Sequence, residues 1–223
     1  MLHKTRGIVF HAIQYGETSL IVTIFTEVLG LQKYMVNGAR SKSAKSKVAL
    51  YQPLTLLNLV VYHRENAAIQ RIKEAECSYA YRHILTDPVK GCLALFIQEI
   101  LNKTIRDQSH PELLFEFIYS SLIALDDATD HVEDFHLIFL VRLSHFLGFG
   151  PQSASDMETT WPAQSGEDIK LQALLKANYH TSLSIKSAER KALLEALIRF
   201  YATHADAFGE IKSVKVLREV LHR

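Results

Sequence analysis

Cysteine is scarce in this chain, with two residues among 223. Cys77 and Cys92 do not form a CxxC pair, so the sequence excludes a disulfide framework and a four-cysteine zinc site. No apolar run approaches the ~20 residues of a membrane-spanning helix. The first residues also lack the apolar core of a signal peptide. We therefore expect a soluble cytoplasmic protein.

Motifs of nucleotide-using and nucleophilic enzymes are also missing. The chain has no Gly-rich phosphate loop with a following Lys, and no Ser/His/Asp motif of a hydrolase. The sequence therefore offers no site for ATP. We expect no cofactor and no metal ion.

Acidic residues are concentrated in one run, Asp126–Asp134, which at first sight resembles a metal or catalytic cluster. The run lacks the Gly and the oxygen spacing of a calcium loop. It also lies between two predicted helices, where acids commonly cap helix starts. We interpret it as structural; a metal-dependent nuclease would have to use these acids.

Charge is distributed unevenly although the formal net charge is only +1. Residues 1–80 hold ten Lys and Arg against five Asp and Glu, whereas residues 81–223 hold 15 against 19. A basic front and a mildly acidic back indicate two modules with different partners.

The most basic stretch runs from Arg40 to Lys47, with four cations separated by small residues and no acid. One interpretation is a solvated loop. The other is a mobile basic arm that follows a phosphate backbone without reading bases.

Residues 5–78 have the pattern of short strands. The expected strands are Thr5–Ile13, Ser19–Thr26, Leu31–Val36, Leu54–Tyr62 and Ala67–Ser78. Five strands at this spacing predict a small barrel, and cations beside it favour an oligonucleotide-binding (OB) fold. From Tyr79 onward, apolar residues recur with the spacing of α-helices. The expected helices are Val89–Arg106, one beginning at a Ser109–Glu112 capping box, Phe135–Leu147, Ser187–Phe208 and Ser213–Leu221.

The fold class is therefore predicted to be α+β. An N-terminal five-stranded OB-fold barrel occupies residues 1–79, and an α-helical domain occupies residues 80–223. Between about 150 and 185 the pattern is loose, and we expect an irregular, cysteine-free insert there.

Several short motifs follow one another in a characteristic order along the chain. In the first part they are Thr5–Val9, Tyr15–Thr26, Gly30 and Asn37–Arg40. Further on they are His110–Phe115, Leu147–Pro151 and Ile211–Leu217. This ordered set, which spans the whole length, resembles that of the bacterial recombination mediator family RecO.

The resemblance implies a binding protein, not an enzyme, with a role in DNA repair through the RecF pathway. Members of this family bind single- and double-stranded DNA and anneal complementary strands. With RecR they help load RecA onto DNA coated by single-strand-binding protein (SSB), whose acidic C-terminal tail they contact. The resemblance thus implies a nucleoid-associated cytoplasmic protein. Many members carry a four-cysteine zinc module after the Leu147–Pro151 signature, but Gln152–Ile185 has no cysteine. We expect a metal-free form of that module.

The candidate DNA-binding residues follow from the barrel, the arm and the resemblance. Phosphate contacts are expected from Arg40, Lys42, Lys45 and Lys47, flanked by Lys33 and Arg6. Tyr15, Tyr34 and Tyr51 could stack on bases, although core or rim packing is the alternative for each of them.

Phe117 and Arg142 are candidates for a pocket that holds the SSB tail, because an apolar cleft beside a cation suits an acidic, aromatic-ended peptide. The alternative is that Phe117 packs in the core and Arg142 is an ordinary exposed cation. For the whole protein, the alternative is a protein–protein adaptor whose OB domain does not bind nucleic acid.

Overall fold

The computed structural model describes residues 1–39, 45–106, 111–161 and 167–221, without the side chains of residues 45–47, 167 and 168. The chain divides into two compact units. Unit 1 contains Met1–Tyr81 and Ile105–Ser120. Unit 2 contains Arg82–Thr104 and Ser121–Arg223.

Five strands form a closed barrel in unit 1. They are β1 (Leu2–Tyr15), β2 (Ser19–Thr26), β3 (Gly30–Val36), β4 (Leu56–Tyr62) and β5 (Gln70–Tyr79). Their order around the barrel is β1-β2-β3-β5-β4. The first half of β1 pairs antiparallel with β4 and the second half with β2, while β3 and β5 pair in parallel through two residue pairs. The predicted five-stranded OB-fold barrel is thus confirmed.

Alternation of side chains explains why these sequences form strands. Inward positions are apolar, and their side chains make up the barrel core: Val9, Leu20, Val22, Ile24, Tyr34, Val36, Leu57, Leu59 and Val61. Gly7 faces the same core, where a Cβ atom would lie 2.6 Å from Leu59 Cδ1 and 2.8 Å from Ile24 Cγ2. The close approach of these side chains therefore requires glycine at this position of β1.

A helical segment from later in the sequence packs on the barrel. Residues 105–120 belong to unit 1 and include the first part of α3 (Glu112–Asp127). The Phe115 ring lies 6.0 Å from the Phe25 ring and 5.6 Å from that of Tyr119, measured between centroids. These aromatic contacts give the outer side of β2 an apolar cover.

Unit 2 is helical. Its further helices are α2 (Pro88–Thr104), α4 (Phe135–Phe146), α5 (Glu167–Lys176), α6 (Ser187–His204) and α7 (Ser213–Leu221). Asp87 begins α2 as an N-cap, since its Oδ1 accepts from the amides of Val89 and Lys90. Most of α4 is buried, so this helix is central to the unit. The helices of the described ranges are too short or too polar to cross a bilayer.

Two details differ from the sequence-based expectations. Lys45–Leu50 forms a short helix, α1, where the arm was expected to continue. The predicted irregular insert contains a 3-10 turn at Ala154–Met157 and the ten-residue helix α5. Leu171 and Leu174 bury one side of α5, and this narrow apolar stripe was too weak to indicate a helix.

Candidate nucleic-acid interface

The outer side of β1, β2 and β3 presents a row of apolar and cationic side chains. Strand register places Ile13 beside Ile21, which lies beside Met35, and places His11 beside Thr23, which lies beside Lys33. Tyr15 lies at the end of the same face, with Ser19 as its neighbour on β2. We call this surface the strand face, and its members are His11, Ile13, Tyr15, Ile21, Lys33 and Met35.

The strand face is accessible and chemically mixed. Ile13 is 53% exposed and Tyr15 54%, and Lys33 is exposed as well. Apolar and aromatic groups can contact base faces, while a lysine beside them can approach a phosphate. This combination suits single-stranded nucleic acid.

A groove of about 510 Å³ lies where β4 passes into β5. We call it the loop groove. The residues that line it are Tyr62, Arg64, Ala67, Ile69, Gln70 and Arg71. Tyr62 and Arg71 are cross-strand neighbours on the outer side of the barrel, which brings an aromatic ring and a guanidinium together.

Gln70 fixes the wall of the loop groove. Its side chain is buried, and its Nε2 donates to the carbonyls of Arg64 and Ala67 at 2.8 and 2.9 Å. Its Oε1 accepts from the amide of Arg64 at 3.0 Å. Three hydrogen bonds from one buried amide hold the connection between β4 and β5 in one conformation.

A second groove, of about 470 Å³, follows the line between β3 and β5, and we call it the seam groove. Its polar side chains include Asn37, Arg71 and Lys73. Lys73 Nζ lies 3.2 Å from Glu74 Oε1, so part of its charge is neutralised locally. Arg71 lines both grooves, and they therefore adjoin at this residue.

Two of the three tyrosines proposed for base stacking are in the core. Tyr34 is fully buried inside the barrel, where burial raises the pKa of its hydroxyl, and Tyr51 is 5% exposed. The stacking prediction for Tyr34 and Tyr51 is therefore wrong, because their positions in the strand pattern and after α1 point inward. Tyr15 is the exposed member of the three.

Arg6, proposed as a phosphate contact, is committed to carboxylates. Its guanidinium donates to both oxygens of Glu27 at 3.0 and 2.7 Å, and to Glu116 at 2.6 Å. The bonds to Glu27 raise the pKa of Arg6 above its usual range. The guanidinium also lies 4.8 Å from the centre of the Tyr119 ring. Arg6 thus joins strand, turn and helix, and its predicted role in DNA binding is not supported by this geometry.

The structure describes only part of the basic stretch Arg40–Lys47. Arg40 and Lys42 lie outside the described residues, and so do the side chains of Lys45 and Lys47. The same holds for Ser109 of the predicted capping box. The arm as a phosphate contact stays a prediction.

Phe117 and Arg142, the candidates for an SSB-tail pocket, belong to different units. Phe117 is 7% exposed and packs in unit 1, as the core interpretation predicted. Arg142 is exposed on α4 of unit 2, with its guanidinium 5.6 Å from the centre of the Tyr179 ring.

The acidic run makes structural contacts. The Asp126 carboxylate accepts from the amides of Arg82, His83 and Ile84 at 2.8 to 2.9 Å. Asp134 Oδ1 accepts from Arg190 Nε at 2.8 Å in a buried ion pair. Within the described ranges, no group of three or more His, Cys, Asp or Glu side chains is placed to hold a metal ion.

Sequence reasoning missed Tyr62, Arg64 and Arg71. The signal was the alternation of Arg71 and Lys73 with apolar Ile72 in β5, which places both cations on the outer side. The loop groove also depends on Gln70. The contacts of Gln70 require a loop conformation that no periodic pattern in the sequence indicates.

Comparison with known proteins agrees with this arrangement. A family model described as Recombination protein O N terminal matches residues 1–81, and one described as Recombination protein O C terminal matches residues 85–172. The DNA repair protein RecO of Bacteroides fragilis is 35% identical over 99% of this chain and 99% of its own length. The DNA repair protein RecO of Flavobacterium psychrophilum is 33% identical, with 97% of this chain and 98% of its own covered. The chain therefore belongs to the RecO family of DNA repair proteins, as its ordered motifs predicted.

Proposed function

We propose that this chain is a DNA-binding recombination mediator that acts without catalysing bond formation. It binds single- and double-stranded DNA, anneals complementary strands and, with RecR, helps load RecA onto SSB-coated DNA. The observation that carries the proposal is the strand face, where exposed Tyr15 and Ile13 share one barrel surface with Lys33. Family membership supports the repair role, and DNA binding would associate the protein with the nucleoid.

The proposed mechanism is electrostatic. Lys33 and the stretch Arg40–Lys47 neutralise phosphates, so two negatively charged strands can approach one another and pair. Phosphate contacts carry no base information, so binding is insensitive to sequence. Stacking on Tyr15 adds affinity for unpaired bases and favours single strands over duplex.

Partner binding is assigned to unit 2. Arg142 is the residue to test against the acidic SSB tail, since its guanidinium is exposed and can pair with a carboxylate of the tail. Phe117 is less suited, because its ring is buried. Loss of SSB-tail binding in Arg142→Ala would support this assignment, and unchanged binding would contradict it.

Fluorescence anisotropy of a labelled oligonucleotide, titrated at several salt concentrations, tests the DNA-binding proposal. For single strands the log–log slope should be about −0.7 per phosphate neutralised. Replacing Arg40, Lys42, Lys45 and Lys47 with Ala should reduce the slope by roughly the share of four contacts and weaken single- and double-stranded binding alike. Tyr15→Ala should weaken single-stranded binding only.

Two results would count against the proposal. An effect of the four-Ala variant confined to one DNA sequence would contradict contact with phosphates. Absence of binding by the unaltered protein at low salt would favour the adaptor function, in which the barrel contacts proteins instead.

A further inference from the structure

We propose that the outer side of β1, β4 and β5 is a surface on which two copies of this chain associate about a two-fold axis. We call this surface the β4 face, and its members are Leu2, Lys4, Arg6, Asn58, Val60, Tyr62, Arg71, Glu74 and Glu76. The strand face lies on β2, β3 and the second half of β1, so the two surfaces are separate. The inference concerns protein association and does not depend on DNA binding.

The pairing of the three strands arranges the β4 face in rows. β4 lies in the middle, with β1 on one side and β5 on the other. The first row is Leu2, Tyr62 and Arg71, the middle row is Lys4, Val60 and Glu74, and the last row is Arg6, Asn58 and Glu76. In the middle and last rows, the cation therefore lies on β1 and the acid on β5.

This arrangement is complementary to itself. A two-fold axis parallel to β4 places each row opposite the same row of a second copy, with the order of the strands reversed. Lys4 then faces the partner's Glu74, and Glu74 faces the partner's Lys4. Aligned sheets pack within about 30° of one another, and such a rotation displaces the middle row least because this row is nearest the centre of the contact. Both ion pairs can therefore form together.

Lys4 is available for this contact. Its side chain is exposed, and it has no ion-pair partner among the residues that the structure describes. Glu74 lies 3.2 Å from Lys73, but their side chains are 65% and 45% exposed, and an exposed pair contributes little. Arg6 is already held by two carboxylates, so the middle row supplies the charges that a second copy can pair.

The centre of the β4 face is apolar. Leu2 is 49% exposed and Tyr62 47%, and they are neighbours across β1 and β4. Val60 is half-buried between Lys4 and Glu74. On the proposed axis, Val60 lies opposite the partner's Val60 and Tyr62 opposite the partner's Tyr62. Association removes this apolar surface from water, which is favourable.

A groove of about 670 Å³ runs along the middle and last rows of the β4 face. Its acids, Glu27, Glu74 and Glu76, outnumber its cations, Lys4 and Arg6. Such a groove repels a nucleic acid and attracts a cationic group. The long side chain of the partner's Lys4 can enter it, and the two-fold axis brings that ammonium group to its acidic side.

The contact is small. Strands lie about 4.8 Å apart and side chains on one side of a strand about 7 Å apart, so three strands and three rows cover a few hundred Å² per copy. Interfaces of this size are weak, and the dissociation constant should be on the order of 10–100 μM.

Sedimentation velocity of the unaltered protein tests the association. At low salt, the weight-average sedimentation coefficient should rise from the monomer value toward the dimer value between about 5 and 200 μM protein. A coefficient that stays at the monomer value over this range would overturn the proposal.

Charge exchange tests the pairing of the middle row. Lys4→Glu and Glu74→Lys each place like charges at both symmetric contacts, so either variant alone should dimerise about tenfold more weakly or worse. In a mixed pair of the two variants, both contacts again join a carboxylate to an ammonium. With fluorescently labelled Glu74→Lys as tracer, Lys4→Glu should therefore bind at least as tightly as the unaltered protein binds itself. A mixture that stays monomeric would contradict the pairing.

Lys33→Glu on the strand face is the matched control, since it has the same net charge as Lys4→Glu. Alone it should dimerise like the unaltered protein. It should bind the Glu74→Lys tracer at least about fivefold more weakly than Lys4→Glu does. Equal binding of the tracer by both variants would assign the attraction to net charge and overturn the proposed face.

Cross-linking locates the axis. Val60→Cys in a Cys77→Ser background places a thiol where two copies should meet. Packed sheets lie about 10 Å apart, so a short bis-maleimide, whose two double bonds each add one thiol, can join the copies. Covalent dimer should form at least about fivefold faster than with Ile21→Cys on the strand face in the same background. Equal rates would contradict an axis beside β4.

Discussion

Arg6 Nη2 on β1 lies 2.6 Å from Glu116 Oε2 on α3, a contact between residues 110 positions apart in the sequence. The same guanidinium holds Glu27 in the turn between β2 and β3. One cation thus joins three segments of unit 1, and through Glu116 it ties the first part of α3 to the barrel.

Replacing Arg6 with Met should destabilise unit 1 without altering DNA binding. Methionine keeps an apolar side chain beside the Tyr119 ring, but the carboxylates of Glu27 and Glu116 lose their partner. We expect the free energy of unfolding to fall by roughly 1–3 kcal/mol, measured by urea denaturation with circular dichroism. Affinity for oligonucleotides should stay within about twofold.

The pH dependence provides a check on that variant. The hydrogen bond from Arg6 lowers the pKa of Glu27 in the folded state. The Glu27 carboxylate therefore stabilises the folded state at pH values above its unfolded pKa, and this stabilisation is lost as pH falls through its folded pKa. The difference in stability between the original protein and Arg6→Met should therefore shrink at acid pH below about 4. A constant difference would indicate that packing, not the ion pair, is responsible.

Gln70→Ala should loosen the wall of the loop groove. The substitution removes three hydrogen bonds to Arg64 and Ala67, so exchange of the amide hydrogens in residues 64–67 should become faster.

Gln52→Ala is the matched control for Gln70→Ala, since Gln52 is exposed and its side chain donates a long 3.5 Å bond to the carbonyl of Val48. It should leave amide exchange in residues 64–67 unchanged. Equal exchange rates in the two variants would show that the Gln70 hydrogen bonds do not hold the loop.

His136 on α4 should make unit 2 sensitive to acid. Burial, and then the charge of Arg190, lower its pKa to about 3. As pH falls, His136 takes up a proton near pH 6.5 in the unfolded chain but only near pH 3 in the folded chain. The free energy of unfolding should therefore decrease as pH falls from about 6.5 to about 3. The expected slope is about 1.4 kcal/mol per pH unit, measured by urea denaturation with Trp161 fluorescence.

His136→Leu should flatten that dependence between pH 6 and 4. His180→Gln, which changes an exposed histidine of the same unit, should leave it intact. A similar slope in all three proteins would assign the acid sensitivity to other groups.

The strands could be predicted from sequence because alternation is a local signal. β2 was predicted with its observed bounds, Ser19–Thr26, and α7 likewise as Ser213–Leu221. The branched residues of β2 and the spacing of apolar residues in α7 are signals that can be read from neighbouring positions in the sequence alone.

The candidate site was harder to predict, because exposure depends on which way a strand faces in the closed barrel. Tyr15 and Tyr34 looked equivalent in the sequence, yet one is exposed and the other is in the core. Arg6 looked like a free cation, but its partners Glu27 and Glu116 are distant in the chain. Such pairings are set by tertiary contacts, which a single sequence does not encode locally.

The amino terminus has a practical consequence for these assays. Met1 is bonded to His63 in both directions, its amino group donating to one carbonyl and its carbonyl accepting from the His63 amide at 2.9 Å. A purification tag fused before Met1 would emerge beside Arg64. Protein with a cleaved or C-terminal tag is therefore the appropriate material.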